Sequence, residues 1–225
     1  MNTLLINAKL WRWIESRDLP STLNPTSGET SGPGLRQGWR LRQGWVSALL
    51  TLLGLASTAL AIAQQPFSDL EVKAVFLYNF ANFVNWPPAS GQGSTQPFRY
   101  CVLDDEIAPV LQKAIKNETV GDRPLLVQEK VTAANLAECQ VLYLAKGRLR
   151  GAEIWELVRE APAVHVLTVS DLEGFETQGG MVALVRQDRR IHPRINIDTV
   201  ERGKLRISAK LLNLATVVRD STTGN

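Results

Sequence analysis

The chain has 225 residues, with 25 lysine and arginine residues against 22 acidic residues, two histidines and two cysteines. Residues 1–63 contain six of the basic residues and three of the acidic ones, so that segment carries the whole net charge of +3 and residues 64–225 are neutral. A segment without net positive charge does not attract the phosphate backbone of nucleic acid, which argues against nucleic acid as a partner. The two histidines lie alone in strand-like segments, so we expect neither a metal site nor a cofactor.

An uncharged apolar run of 18 residues, Val46–Ala63, follows three arginines and ends in Ala-Ile-Ala. A basic region, an apolar run and a small-residue cleavage site are typical of a secretory signal peptide. A retained membrane anchor is the alternative, because 18 residues approach the lower limit for spanning a bilayer. We predict an unusually long leader over 1–63, cleaved after Ala63, and one exported domain over 64–225.

The cysteines Cys101 and Cys139 stand alone in the chain. In an exported protein such a pair is most simply one disulfide, with two buried free thiols as the alternative. Neither cysteine belongs to a Cys-x-x-Cys motif, so the sequence does not favour thiol–disulfide exchange catalysis.

The segment Phe67–Trp86 predicts an amphipathic helix, because its apolar residues recur at spacings of three and four. These residues surround most of the helix, so the domain itself or a partner must cover them. A buried core helix is the first interpretation. Self-association through Phe76, Phe80 and Phe83 is the second, and it makes these rings the predicted dimer interface.

Strand and helix patterns alternate through the middle of the chain. We predict strands at 98–103, 125–129, 140–144 and 164–169, and helices at 106–117, 132–137 and 151–160. This alternation predicts a single α/β domain with a mixed, mostly parallel sheet flanked by helices. In such a sheet Cys101 and Cys139 could be neighbours, which suits a disulfide.

The pattern changes near the carboxyl terminus. Met181–Arg186 and Ile191–Ile197 are separated by a short polar turn, which predicts an antiparallel hairpin at this side of the sheet. Pro193 cannot donate a ladder hydrogen bond, so we expect its strand to be an edge strand or to contain a bulge. Ser208–Val218 has apolar residues at helical spacing and predicts a last amphipathic helix.

Sequence signals for catalysis are scarce. The nucleophile elbow, the phosphate-binding loop and the dinucleotide fingerprint are all missing, and no nucleophile and base form a recognisable set. Asp104 and Asp105 follow the first strand of the alternating segment, where open α/β sheets often bind ligands. Capping of the next helix is the favoured explanation for them. We therefore predict a non-enzymatic protein, with a small-molecule sensor that uses Asp104 and Asp105 as the alternative.

Three stretches, Val72–Pro87, Val166–Val185 and Ile195–Ala215, together resemble the YfiR-like family of periplasmic proteins. The resemblance implies a periplasmic homodimer that represses an inner-membrane diguanylate cyclase by binding its periplasmic sensor domain. Such a repressor lowers cyclic di-GMP and biofilm formation. It also implies a strand-to-strand disulfide at Cys101 and Cys139.

The chain departs from that family pattern in two places. Some members carry a second cysteine pair in the block where this chain has Val169 and Glu176, so regulation through a second pair is not expected here. The usual aromatic–acid step in the last strand is replaced by His192, Pro193 and Arg194, a change that bears on partner choice.

The block from Ser170 to Asn196 is the predicted partner-binding surface. Phe175 lies in a turn beside glycines and acids, where a large apolar side chain projects as an interface anchor unless it is tucked under the turn. A plug over the sheet edge is the alternative role of this ring. The predicted partner-binding residues are Glu173, Phe175, Gln187 and Asn196.

Overall fold

A computed structural model of the chain describes residues 67–88, 96–188 and 190–220. The predicted leader over 1–63 and its cleavage site lie outside the described residues. Among the helices of the described segments, none is both long enough and apolar enough to cross a bilayer.

The described elements alternate between strands and helices through most of the chain. The helices are α1 (Asp69–Phe83), α2 (Ile107–Ala114), α3 (Ala152–Glu160), α4 (Ile197–Arg202) and α5 (Ala209–Leu212), with 3-10 turns at Ala133–Glu138 and Phe175–Thr177. The strands are β1 (Val84–Asn85), β2 (Phe98–Leu103), β3 (Thr119–Val120), β4 (Arg123–Gln128), β5 (Val141–Leu144), β6 (Leu167–Ser170), β7 (Val182–Gln187), β8 (Arg190–Asn196), β9 (Arg206–Ile207) and β10 (Thr216–Val218).

Helix α1 begins at a capping box and ends where the chain becomes a strand. The Glu71 backbone N–H donates to Ser68 Oγ at 3.2 Å, and the Ser68 N–H donates to the Glu71 carboxylate at 2.9 Å. This reciprocal pair satisfies two N–H groups that the first turn leaves free. The helix ends at Phe83 because Val84–Asn85 turns away to pair with β9.

Within the described residues, the main sheet has eight strands in the order β10-β8-β7-β6-β5-β2-β4-β3. Strands β4, β2, β5, β6 and β7 run parallel, whereas β8 pairs antiparallel with β7. The structure therefore confirms the predicted single α/β domain, its mostly parallel sheet and its carboxyl-terminal hairpin.

The two faces of the sheet pack against different layers. On β5, Val141 and Tyr143 belong to the apolar cluster that includes α1 and α2, whereas Leu142 and Leu144 belong to the cluster that includes α3. This alternation follows from the two-residue period of a strand, and it makes β5 a strand buried on both faces. Cys101 and Cys139 form a disulfide in the α3 cluster, with Cα atoms 5.8 Å apart.

The carboxyl-terminal segment differs from the prediction. The helix predicted over Ser208–Val218 is wrong beyond Leu212, because Thr216–Val218 forms β10 and pairs parallel with Arg194–Asn196 of β8. Three β-branched residues in a row favour a strand over a helical turn. Strand β10 covers β8 from Arg194 onward, so Pro193 lies in the part of β8 that remains an edge, as its missing N–H requires.

Candidate interaction surface

A tight turn after β6 fixes the centre of the predicted partner-binding block. Gly174 adopts a left-handed conformation with φ of 77°, which starts the 3-10 turn Phe175–Thr177. Phe175 is fully buried, with its ring centroid 5.9 Å from that of Trp155. A Cβ atom at Gly180 would lie 2.2 Å from Phe175 Cε1, so glycine is needed there to let the ring fold under the turn.

Phe175 therefore takes the plug position that the sequence left as an alternative to an exposed anchor. The ring closes the space between the turn, α3 and β7 rather than presenting itself to solvent. A partner could contact Phe175 directly only if the turn opened. Its partner-binding role stays a prediction.

Beside this plug lies a charged pair that the sequence reasoning missed. The Glu176 side chain is fully buried, and Arg194 Nε lies 2.7 Å from its Oε1 atom. The arginine N–H is not aligned for a hydrogen bond, and neither carboxylate oxygen has a hydrogen-bond partner among the described residues. The Arg194 side chain is 37% exposed, so one member of the pair reaches solvent and the other does not.

Asn196 connects this turn to the rest of the carboxyl-terminal segment. Its side-chain NH₂ donates to the Glu176 backbone carbonyl at 2.8 Å and to Asp220 Oδ1 at 2.7 Å. Its Oδ1 accepts the Thr199 N–H at 3.0 Å and so caps α4. A residue 2% exposed that uses all three of these bonds has a positioning role, because each bond replaces one lost to water.

Charge pairs hold the last described residues against α4. Arg202 Nη1 lies 2.5 Å from Asp220 Oδ2, and Arg219 Nη1 lies 2.6 Å from Asp198 Oδ1. The hydrogen bond from Asn196, and then the one from Arg202, lower the pKa of Asp220. We call Glu176, Arg194, Asn196, Asp198, Arg202 and Asp220 the carboxyl-terminal polar cluster.

The four predicted partner-binding residues do not form one patch. Phe175 and Asn196 are buried on either side of Glu176, whereas Glu173 and Gln187 are exposed. Asn196 pairs with Met181 before β7 begins, and Gln187 lies at the far end of that strand. At about 3.3 Å per residue, the length of β7 separates Gln187 from the others.

The predicted dimer residues lie mainly inside the domain. Phe76 is 6% exposed and Phe80 is fully buried. Phe83 is partly buried, with the Lys210 ammonium group 5.7 Å from its ring centroid. The core of the same chain covers the first two rings, so an interface through them would require α1 to leave the core.

The carboxyl ends of the parallel strands hold a second group of polar residues. Asp104 Oδ1 accepts the N–H groups of Glu106 and Ile107, at 2.8 Å and 3.4 Å, so this carboxylate caps α2. Asp171 pairs with Lys73 Nζ at 2.8 Å. Nearby, burial and then the charges of Asp171 and Asp104 raise the pKa of Tyr143. The capping role explains Asp104 without a bound ligand.

A family model matches this architecture. The model described as YfiR/HmsC-like matches residues 70–216, which include nearly every described element. The chain therefore belongs to the YfiR/HmsC-like family, as the three sequence stretches suggested. Membership points to a periplasmic regulator of diguanylate cyclase activity. No curated protein matches the chain.

Among solved structures, two show weak similarity to the chain. A conserved domain protein from Vibrio cholerae has 10% identity and a TM-score of 0.45, with 68% of this chain and 61% of that chain covered. An ABC domain in complex with L-Trp from Streptococcus pneumonia has 8% identity and a TM-score of 0.38, with 54% and 55% covered. The chain thus spans less than two thirds of either neighbour.

Proposed function

We propose that this protein represses an inner-membrane diguanylate cyclase by binding the periplasmic sensor domain of that enzyme. The repression lowers cyclic di-GMP and restrains biofilm formation. The observation that carries the proposal is the family match, which runs from α1 to the start of β10. In this proposal the leader directs export of the protein. The exported protein then acts by binding the cyclase and is not itself an enzyme.

The proposed contact surface is the rim of the Gly174–Gly180 turn. Glu173, which immediately precedes this turn, is exposed, while Phe175 and Glu176 within the turn are completely buried. A rigid turn loses little conformational freedom on binding, which favours a specific contact. Phe175 and Asn196 act here as positioning residues, and Gln187 belongs to a separate exposed site at the hairpin tip.

Deletion of the gene tests the regulatory role. We expect cellular cyclic di-GMP to rise severalfold and to return to its original level when the full-length chain is supplied again. An unchanged level after deletion would contradict the proposal. In membranes that contain the cyclase, adding the purified protein should lower cyclic di-GMP synthesis.

A charge reversal tests the contact surface. Glu173→Lys should weaken binding to the purified sensor domain about tenfold. A charge at the rim of an interface influences both the rate at which the partners meet and the orientation in which they bind. Glu153→Lys is the matched control, since Glu153 is exposed on α3 outside this turn. If both variants bind the sensor domain with equal affinity, the contact surface does not include Glu173. The variant Gln187→Lys then tests the hairpin tip as the contact surface.

We also propose that the protein is a homodimer that uses the exposed side of α1. Phe83 is the one predicted dimer residue that is not buried in the core. Phe83→Glu should halve the mass measured by light scattering, while Asn82→Lys, an exposed neighbour, serves to control for added charge. A wild-type protein that is monomeric at high concentration would reject this part of the proposal.

A further inference from the structure

An open groove of about 650 Å³ lies between α4, β9 and α5, and neither the family nor the proposed repression assigns it a role. Leu205 and Ile207 are 1% and 9% exposed and belong to the main core. Ile197 and Leu212 are only partly buried against the same core. The remaining lining residues are Glu201, Lys204 and Arg206. The volume falls within the range of small-molecule sites.

The backbone at Lys204 has a conformation that favours glycine. Lys204 has φ of 55° and follows the end of α4. The Leu205 N–H donates to the Val200 carbonyl at 3.2 Å and the Lys204 N–H donates to the Glu201 carbonyl at 2.9 Å. These two bonds form a Schellman motif, in which the left-handed residue is usually glycine. A lysine at this position accepts backbone strain and places an ammonium group at the groove, which suggests a function for the cation.

The two basic side chains at the groove do not contribute polar contacts to the fold. Lys204 and Arg206 are exposed, and neither side chain forms a hydrogen bond or ion pair within the described part of the chain. The arginines nearby behave differently, since Arg202 pairs with Asp220. Glu201 also lines the groove, so the lining carries two positive charges and one negative charge. This balance favours an anion of single charge.

We propose that the groove binds a small anionic amphiphile, a molecule with one carboxylate or phosphodiester group and an apolar body. Lys204 and Arg206 contact the anionic group, and the partly exposed side chains of Ile197 and Leu212 cover the apolar body. Both parts contribute, because charge fixes the orientation while burial of apolar surface supplies most of the affinity. The inference does not depend on the proposed repression of a cyclase.

Titration with simple amphiphiles tests the ligand class. The protein, produced from its full-length sequence, is titrated calorimetrically with decanoate, octanoate and decan-1-ol below their aggregation concentrations. We expect decanoate to bind saturably at one site. Octanoate, shorter by two methylene groups, should bind about 15-fold more weakly, at about 0.8 kcal/mol for each buried methylene group. Decan-1-ol should bind at least fivefold more weakly than decanoate because it lacks the charge.

Variants of the groove separate a binding role of the lysine from a structural one. Lys204→Gly removes the ammonium group and installs the residue that the backbone favours, so we expect a higher melting temperature with about fivefold weaker decanoate binding. Glu201→Gln removes the opposing charge and should strengthen decanoate binding two- to threefold. Lys113→Gln, an exposed position on α2, is the control and should change neither quantity.

Flotation with lipid vesicles distinguishes the two sources of such a ligand. Binding to phosphatidylglycerol vesicles that Lys204→Gly weakens, with none to phosphatidylcholine vesicles, would identify a phospholipid headgroup. Decanoate binding without vesicle binding would identify a free acid. The proposal is overturned if decanoate does not bind saturably, if decan-1-ol binds equally well, or if Lys204→Gly leaves decanoate affinity unchanged.

Discussion

Two parts of the main sheet are stabilised in different ways. The parallel part consists of β4, β2, β5 and β6, and the carboxyl-terminal part consists of β7, β8 and β10. In the parallel part, β5 is buried on both faces and a disulfide joins Cys101 to Cys139 beside it. In the carboxyl-terminal part, a fully buried carboxylate and a buried amide lie near the start of β7, and two exposed ion pairs join α4 to the residues that follow β10.

This difference predicts two kinds of response. Protonation of carboxylates and screening of charges do not weaken apolar burial or a covalent bond. Charge pairs and hydrogen bonds to carboxylates lose strength when the carboxylate is protonated, and exposed pairs also weaken as salt rises. Ion pairs also occur in the parallel part, where Lys73 pairs with Asp171. The ion pairs of the carboxyl-terminal part are more exposed, so we expect acid and salt to loosen that part first.

The largest expected effect comes from the disulfide. Replacing both Cys101 and Cys139 by alanine should lower the free energy of unfolding by about 4 kcal/mol, because the unfolded chain gains the freedom of a loop whose ends are 38 residues apart. Urea unfolding of the double variant against the oxidised protein measures this loss. A wild-type protein with a reducing agent in the unfolding buffer is the control, and equal midpoints for oxidised and reduced protein would contradict the prediction.

The buried charge pair should show an asymmetric effect of slightly smaller size. Arg194→Met leaves Glu176 buried without a counter-charge and should cost about 3 kcal/mol. Glu176→Gln leaves Arg194 able to reach water and should cost about 1 kcal/mol. Chemical unfolding of both variants gives the comparison.

The double variant Glu176→Gln with Arg194→Met checks this explanation. It should be more stable than Arg194→Met alone, since no buried charge remains. If Glu176→Gln lowers the free energy of unfolding more than Arg194→Met does, the buried carboxylate does not depend on the charge of Arg194, and the explanation is wrong.

The plug under the turn offers a third test. Gly180→Ala would place a Cβ atom against the ring of Phe175 and should cost about 2 kcal/mol. In a Phe175→Leu background the same change should cost less, because the ring that it meets is gone. Additive costs in the double-mutant cycle would show that the two residues do not interact.

The parallel part could be predicted from the sequence because its local signals agree with its final structure. The strand predicted at 98–103 matches β2 residue for residue, and runs of buried apolar residues located β5 and β6. The disulfide followed from two lone cysteines in a chain that the sequence predicts to be exported. Helix α1 was found for the same reason, since its apolar spacing and its Ser68 cap point to one structure.

The carboxyl-terminal part was harder to predict because its structure depends on contacts distant in sequence. Leu211 to Val218 has helical spacing, yet pairing with β8 makes a strand of its last three residues. No local pattern pairs Glu176 with Arg194, and only the fold brings the two together. For Phe175 the sequence leaves an anchor and a plug as alternatives, because nothing local shows that Gly180 leaves room for its ring.

The smallest expected effect concerns acid and the last described residues. Hydrogen bonds from Asn196 and then Arg202 lower the pKa of Asp220 in the folded protein below its unfolded value of about 3.9. A lowered folded pKa stabilises the fold above the unfolded pKa, and this stabilisation is lost as the pH falls through the folded pKa. In the variant Asp220→Asn, stability should therefore decrease less than in the wild type when the pH falls below about 4.

Thermal unfolding between pH 7 and pH 3 measures that loss. Asp122→Asn, an exposed position in the turn between β3 and β4, is the matched control and should keep the wild-type slope. Because Asp220 is about half exposed, solvent screens its pairs and the change in slope should be modest. Hydrogen exchange adds a local measurement, since acid should free the Thr199 and Asp220 amides before those of β5. Loss of protection at β5 first would mean that the polar cluster is not the pH-sensitive part of the fold.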